Sequence, residues 1–591
     1  MVGARDTHFG LHRCLLVCAL LVLALLELSC ESGRELTAAS PGESSASGAR
    51  IFLARKIVTM DPNRPLARAV AVRDGRIAAL GSLAEVQTSL GPGPHTVDAR
   101  FEGQVLMPGL IDNHLHPSMA ALLLPMRFAT PFDWSLPDRK VRGIRDPEAW
   151  RARLRELESN EPEGEWLFVW GYHGLFHGPI SRADLDAISN SRPMVVWHRS
   201  FHEIFLNSAA LRALELEEAA VAEHPQIDFA QGHFYETGLE VAFARLAPLL
   251  LSPTRFARGL ALTRESIHRG GITTIADMAF GLFDPDAELA AYRAMLGGEE
   301  VPFRTLLVPD GRRPLARGPE AATAQLSAWA AEDGGKVEFL PQVKLFADGA
   351  FFSQLMQLGP PGYLDGHHGE WLMEPAALEA AARFYWDAGQ QIHVHANGDR
   401  GVEVTLDVLE ALQAENPRDD HRFTLHHYGY STDAQSQRAA ELGAFVSANP
   451  YYVYTLSDVY SRVGLGAERA QNMVRLGSLA RAGVPISLHS DFTMAPSRPL
   501  LLAWVAANRI NAEGDRVGAE ERLDRDLALR AITLEAARAI RMEAEIGSIE
   551  VGKRADFTVL DDDPLEVPVE ELAGLGIWGT VFEGRVFPID R

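Results

Sequence analysis

Several short segments of this chain carry nitrogen and oxygen donors of the kind that hold metal ions. Met107-Pro108-Gly109-Leu110-Ile111-Asp112-Asn113-His114-Leu115-His116 ends an apolar run in two histidines, and on an extended strand residues two apart project to the same side. Val343-Lys344-Leu345-Phe346-Ala347-Asp348-Gly349 sets a lysine inside an apolar strand. Ile392-His393-Val394-His395-Ala396-Asn397-Gly398-Asp399, Leu425-His426-His427-Tyr428 and Ile486-Ser487-Leu488-His489-Ser490-Asp491 each finish an apolar run on histidine or aspartate. Singly, each has an ordinary explanation: strand-end histidines are usually structural, an aspartate after a strand usually caps a helix, and a buried lysine usually reaches outward. Convergence of several strands on one donor set is what those explanations leave out. All three cysteines, Cys14, Cys18 and Cys30, precede residue 31, so a metal in the body of the chain must rest on His, carboxylate or Lys.

Strand ends meet in space only if a parallel sheet brings them together. Apolar β-type runs alternate with Ala/Leu/Arg/Glu-rich helical stretches, the pattern of repeated βα units. Strands are expected at 104–112, 271–277, 302–308, 341–347, 390–395, 422–427, 443–448 and 484–490. Eight of them predict an α/β fold, a (β/α)8 TIM barrel over residues 107–545, with chemistry at the C-terminal ends of the strands. A large insertion after the first strand, about 118–268 and rich in Trp and Tyr, is expected to cap the barrel mouth. At the two ends of the chain, strands at 51–53, 69–72 and 76–80 around an Asp74-Gly75 turn, a strand at 557–560 and a Gly-turned hairpin within 580–587 predict a small β-sandwich assembled from 50–106 and 546–591.

The 591 residues are 47% hydrophobic, enough for a substantial core, and the net charge of -23 with no offsetting basic stripe argues against nucleic acid as a partner. At the start, Arg5, His8, His12 and Arg13 precede an apolar run over 14–26, too short to span a bilayer comfortably and suited to a signal h-region. Ser29-Cys30 resembles a lipoprotein cleavage box, although Glu27 stands where a small aliphatic residue is usual. Residues 1–30 are therefore expected to be a signal peptide with Cys30 lipidated, 31–49 a flexible tether, and the protein periplasmic or lipid-anchored in a bacterial envelope.

Together these segments resemble the amidohydrolase superfamily, in its family 3 branch that includes N-substituted formamide deformylases, over roughly residues 50–591. The resemblance is carried by Pro108-Gly109-Leu110-Ile111-Asp112 with His114 and His116, by 344–349, His395-Ala396-Asn397-Gly398-Asp399, His427, Ser490-Asp491 and 546–556, and in the insertion by Asp184-Leu185-Asp186, Arg192-Pro193, His202 and Asn207-Ser208-Ala209-Ala210-Leu211. It implies two divalent metals, zinc being the expected species. His114, His116 and Asp491 would hold one, His395 and His427 the other, with a carboxylated Lys344 bridging both. An ammonium with pKa about 10.4 cannot ligate a cation, but burial favours the neutral amine, which carbon dioxide can convert to an anionic carbamate. The activity implied is hydrolysis of a non-peptide C–N bond in a small molecule, an N-acyl or N-formyl amide, by metal-activated water with Asp491 as general base and then acid.

Departures from the branch bound that transfer. His426 stands where Glu is common and His489 where Gly is common. Both, with Tyr172 and His202, are expected to contact substrate; the alternatives are orientation of metal ligands for His426 and His489, ordinary packing for Tyr172 and a hydrogen bond inside the insertion for His202. Tyr451, Tyr452 and Tyr454 could line an apolar pocket or simply pack. His393 is expected to face away from His395 and to serve structure. A lactone or ester hydrolase, a deaminase or an isomerase on the same metals, and a solute-binding or regulatory envelope protein on the same scaffold, are the competing readings.

Overall fold

The computed structural model describes residues 48–332 and 335–590, so the expected signal peptide, Cys30 and nearly all of the tether lie outside the described residues. The fold is mixed α/β. Segments from both ends of the chain meet in one seven-stranded sheet, in the order Arg585–Pro588, Ile577–Phe582, Phe557–Leu560, His95–Pro108, Ala49–Val58, Leu66–Arg73, Arg76–Gly81. Its two hairpins turn on Asp74-Gly75 and Glu583-Gly584, whose φ angles of 51°, 74°, 48° and 78° give the doubly left-handed turn that matches strand twist. Side chains alternate between two cores, so that Phe52, Val70 and Phe101 join Phe557 on one face. Ile51, Ala69 and Ala71 pack on the other with Val86 of the helix Leu83–Leu90, which a Ser82/Glu85 capping box starts.

The central body rests on parallel strands β1 (Leu110–Leu115), β2 (Ile272–Phe280), β3 (Arg304–Pro309), β4 (Gln342–Phe346), β5 (Gln391–Ala396), β6 (Thr424–His427), β7 (Phe445–Ala448) and β8 (Ile486–Leu488). β1 to β3 pair in sequence, with Val337–Phe339 on the outer edge of β3, and β4 to β8 form a second run. A bridge between Asp310 and Lys344 joins the two runs, and the Asp491 N–H reaches back to the His114 carbonyl at 2.9 Å. The arrangement is TIM-barrel-like.

The first expected strand divides in two. Residues up to Pro108 belong to the terminal sheet, and β1 begins only at Leu110. Gly109 is the joint: a Cβ there would lie 1.9 Å from Thr273 Oγ1, so only glycine lets β1 approach β2 this closely. Asp556 fastens the joint from the other end of the chain. Its carbonyl accepts from the Gly109 N–H at 2.9 Å, and its carboxylate accepts from the Glu583 N–H at 2.9 Å and from the buried Arg304 guanidinium at 2.5 Å.

Between β1 and β2 the insertion builds its own six-stranded sheet, centred on Leu167–Tyr172, Met194–His198 and Glu203–Leu206. The helix Pro147–Asn160, capped by Asp146, presses Trp150, Leu154 and Leu157 onto that sheet. Arg199 is fully buried beside the rings of Phe132, Trp134, Phe352 and Tyr451 and donates to the Met494 carbonyl at 2.8 Å, tying the insertion to the segment after β8.

Candidate metal centre

β1 ends in the two histidines side by side, their ring centroids 5.1 Å apart. Asp491 meets both: its Oδ1 lies 3.6 Å from His114 Nε2 and 3.3 Å from His116 Nε2, while Oδ2 is 3.9 Å from His427 Nδ1. From behind, His116 Nδ1 faces Asp277 Oδ1 at 3.4 Å, a carboxylate–histidine contact that leaves Nε2 toward the cluster. Asp112, buried in β1, accepts from the Ser490 N–H at 3.1 Å and from its hydroxyl, and so holds the segment carrying Asp491. Burial pushes the Asp112 carboxyl up to about 7 despite those bonds.

Two of the converging residues sit in strained backbone. His427 has φ 74° and Asp491 φ 53°, left-handed values that non-glycine residues rarely take. In a regular strand His426 and His427 would point to opposite faces. The kink at His427 lets both rings enter the interior, His427 packing against His395 at a centroid distance of 4.3 Å and His426 passing beneath to His114. His395 Nε2 lies 2.8 Å from Asn397 Nδ2. The loop bearing Asn397 is anchored by buried Asp348, which accepts from the backbone N–H groups of Asn397, Gly398 and Gln357 at 2.8, 2.8 and 2.9 Å.

Two triads can each offer ligand atoms within 4.8 Å of one another: His114, His116 and Asp491, and His114, His427 and His489. Burial holds the imidazoles of His114, His395, His427 and His489 well below their usual pKa, in the neutral form that ligates metals. Lys344 completes the set. Its Nζ is buried without a hydrogen-bond partner, and burial lowers its pKa far from the ordinary lysine value. A neutral imidazole cluster, a carboxylate and an orphaned amine form a donor set that fits divalent metal.

His114, His116, Lys344, His395, His427 and Asp491 are therefore brought together. His202 is half-buried in the insertion, its Nδ1 2.9 Å from Glu236 Oε2, and Asp491 is among the charges that raise its pKa against burial. Four placements differ from the expected ones. His426 is completely buried with both ring nitrogens engaged by His114 and His393, the geometry of its alternative, orienting a ligand rather than meeting substrate. His489 stacks on His114 at 4.4 Å and meets Ser447 Oγ at 3.0 Å and His427 Nδ1 at 3.3 Å, which places it inside the cluster. His393 shares its face with His395, as residues two apart on a strand must. Tyr172 is not brought to the cluster; it packs on Trp150 and His177 within the insertion and donates to the Gly178 carbonyl at 2.8 Å. Of the three tyrosines after β7, Tyr452 comes nearest, its hydroxyl 3.3 Å from His427 Nδ1. Sequence reasoning missed Asp277, although a carboxylate near the end of a barrel-type strand was the available signal, and Gln342, which had none.

A family model described as "Amidohydrolase family" matches residues 95–588. The chain is 26% identical over 525 residues to the Arabidopsis thaliana protein named LONG AFTER FAR-RED 3, covering 85% of each chain. It is 26% identical over 554 residues to the N-substituted formamide deformylase of Arthrobacter pascens, covering 89% of this chain and 96% of that one. A solved structure described as an uncharacterized metal-dependent hydrolase from Pyrococcus horikoshii OT3 shares the fold with a TM-score of 0.68 at 21% identity, over 88% of this chain and 99% of the other.

Proposed function

The chain belongs to the amidohydrolase family and is a hydrolase of carbon–nitrogen bonds, and from that premise we propose that it cleaves a non-peptide amide of N-acyl or N-formyl type at a centre for two zinc ions. The observation that carries this reading is Lys344, an amine buried without a partner amid imidazoles and a carboxylate. His114, His116 and Asp491 would hold one ion, His395 and His427 the other, and a carbamate on Lys344 would bridge them. Ions held there supply Lewis acidity, which acidifies water and polarises a carbonyl. Asp491 takes the proton of the attacking water on its carboxylate and returns it to the leaving nitrogen. His202, braced through Nδ1 by Glu236, steadies the oxygen of the tetrahedral intermediate. The formyl amide is favoured by the activity for which the Arthrobacter pascens relative is named.

The test is a screen of formamides, N-acyl amino acids and lactones against protein of measured metal content. An amide should be hydrolysed, the activity should vanish on chelation, and Zn2+ should restore it. Activity on lactones alone, or purification without divalent metal, would sink the assignment. Lys344→Ala should lose activity and regain part of it with short carboxylic acids, which replace the carbamate. Intact metal content without such rescue would refute the bridge.

In the same reading β1 to β8 close into a (β/α)8 barrel, supported by their parallel order and by the bridges at either seam. Residues 118–268 cap its mouth, supported by the Arg199 contact with Met494, and the terminal sheet rolls into a sandwich over its two cores. Residues 1–30 export the protein to a bacterial envelope with Cys30 as lipid acceptor, supported by the apolar run before Ser29-Cys30. Cys30→Ala should move the protein from the membrane to the soluble fraction; unchanged fractionation would dismiss the anchor.

A further inference from the structure

Beneath the metal cluster runs a hydrogen-bond chain that ends in an amide. Gln342 Oε1 lies 2.9 Å from His393 Nε2, His393 Nδ1 lies 2.8 Å from His426 Nε2, and His426 Nδ1 lies 2.7 Å from His114 Nδ1. All four residues are buried, none more than 1% exposed. No carboxylate takes part in the chain.

We propose that Gln342, His393 and His426 are positioning residues that fix the tautomer of His114, with the proton on Nδ1 and the lone pair on Nε2 facing Asp491. This rests on the reading of His114 as a metal ligand. The direction of the chain is set at its far end. Gln342 Nε2 donates to the Ile540 carbonyl at 3.0 Å, and because a carbonyl only accepts, the amide oxygen must be the atom that faces His393. His393 therefore donates from Nε2, and as a neutral ring it accepts at Nδ1. His426 must then donate from Nε2 and accept at Nδ1. That leaves His114 to donate from Nδ1, which frees Nε2, the nitrogen 3.6 Å from Asp491 Oδ1.

Each link is a ring with one proton and one lone pair, so the orientation of a single amide propagates through two imidazoles to a third. The usual orienter of a metal-bound histidine is a carboxylate or backbone carbonyl in direct contact, as Asp277 is for His116 here. For His114 the acceptor is a neutral ring, and His426 and His393 are the residues that make the relay. The two ligands of β1 are thus held by opposite means, one charged and one uncharged.

The experiment labels the histidines of the full chain with 15N and reads which ring nitrogen of His114 carries the proton, its signal identified by loss in His114→Gln. Zn2+ affinity is measured in parallel by competition with a chromophoric chelator. The wild type should carry the proton on Nδ1. Gln342→Leu removes the acceptor at the far end without touching any ligand; it should give a mixture of His114 tautomers and bind Zn2+ about 10-fold or more weakly. Gln342→Glu keeps an acceptor at the same place and should keep both the tautomer and the affinity, a rescue that a merely packed side chain would not show. A wild-type His114 protonated on Nε2 overturns the proposal. So does a folded Gln342→Leu with an unchanged tautomer and Zn2+ affinity within about two-fold of wild type. If Gln342→Leu does not fold, His393→Phe poses the same test one link nearer. If the wild type takes up no Zn2+, the ligand reading fails by itself, and the protonation state of His114 still decides the relay.

Discussion

Asp491→Asn should lower kcat by about 10²- to 10⁴-fold, the range spanned by general acid–base groups, and leave the protein folded. Asparagine keeps the shape of the side chain, and the backbone N–H that closes onto the His114 carbonyl is untouched. What it loses is the capacity to accept the proton of water and pass it on. Asp491 is the carboxylate within 3.6 Å of both β1 histidines. Because Asp491 is also assigned as a ligand, the comparison belongs at saturating Zn2+ with metal content measured on the same sample. A kcat within about ten-fold of wild type at full metal occupancy would remove Asp491 from the proton-transfer role.

Asp556→Ala should be the most damaging single change far from the cluster. It strips the nearer carboxylate from Arg304, whose Nη1 also donates to Thr274 Oγ1 at 2.9 Å and whose second carboxylate contact, Glu583, stands at 3.4 Å. Removing one partner of a buried ion pair leaves an uncompensated charge and costs roughly 3–5 kcal/mol. The thermal midpoint should fall by roughly 3–4 °C, and aggregation on heating should begin earlier. Calorimetry of Asp556→Ala beside the double variant Arg304→Met/Asp556→Leu separates charge from packing. The double variant should recover most of the loss, since apolar replacement of a buried pair is often close to neutral. A single variant that melts within about 1 °C of wild type would mean that Arg304 is served well enough by its remaining contacts.

Those two aspartates also mark what was legible in the sequence. The Asp74-Gly75 and Gly584 turns, the positions of β2 to β8 and the six converging donors all follow from local pattern: alternation, turn chemistry and donors at strand ends. Local pattern does not say which sheet a strand joins. Residues 104–108 and 110–112 read as one apolar run, and only the contact of Gly109 with Thr273 parts them. Nor does it register a backbone kink. His426 and His427 reach the same interior because His427 is left-handed, which an alternating pattern cannot anticipate. His393 is different, since the two-residue period puts it on the face of His395 and its expected outward orientation broke that rule. The insertion's own sheet went unseen because its strands are short and mixed in direction.

The terminal sheet has a consequence for how the chain is made. Its strand His95–Pro108 lies between Ala49–Val58 and Phe557–Leu560, partners from opposite ends of the polypeptide. The early strands are made first, and one edge of His95–Pro108 stays unpaired until Phe557–Leu560, beyond the whole central body, has followed them. An open edge of that kind recruits other strands. The sheet is therefore completed by strands that follow the central body in the chain.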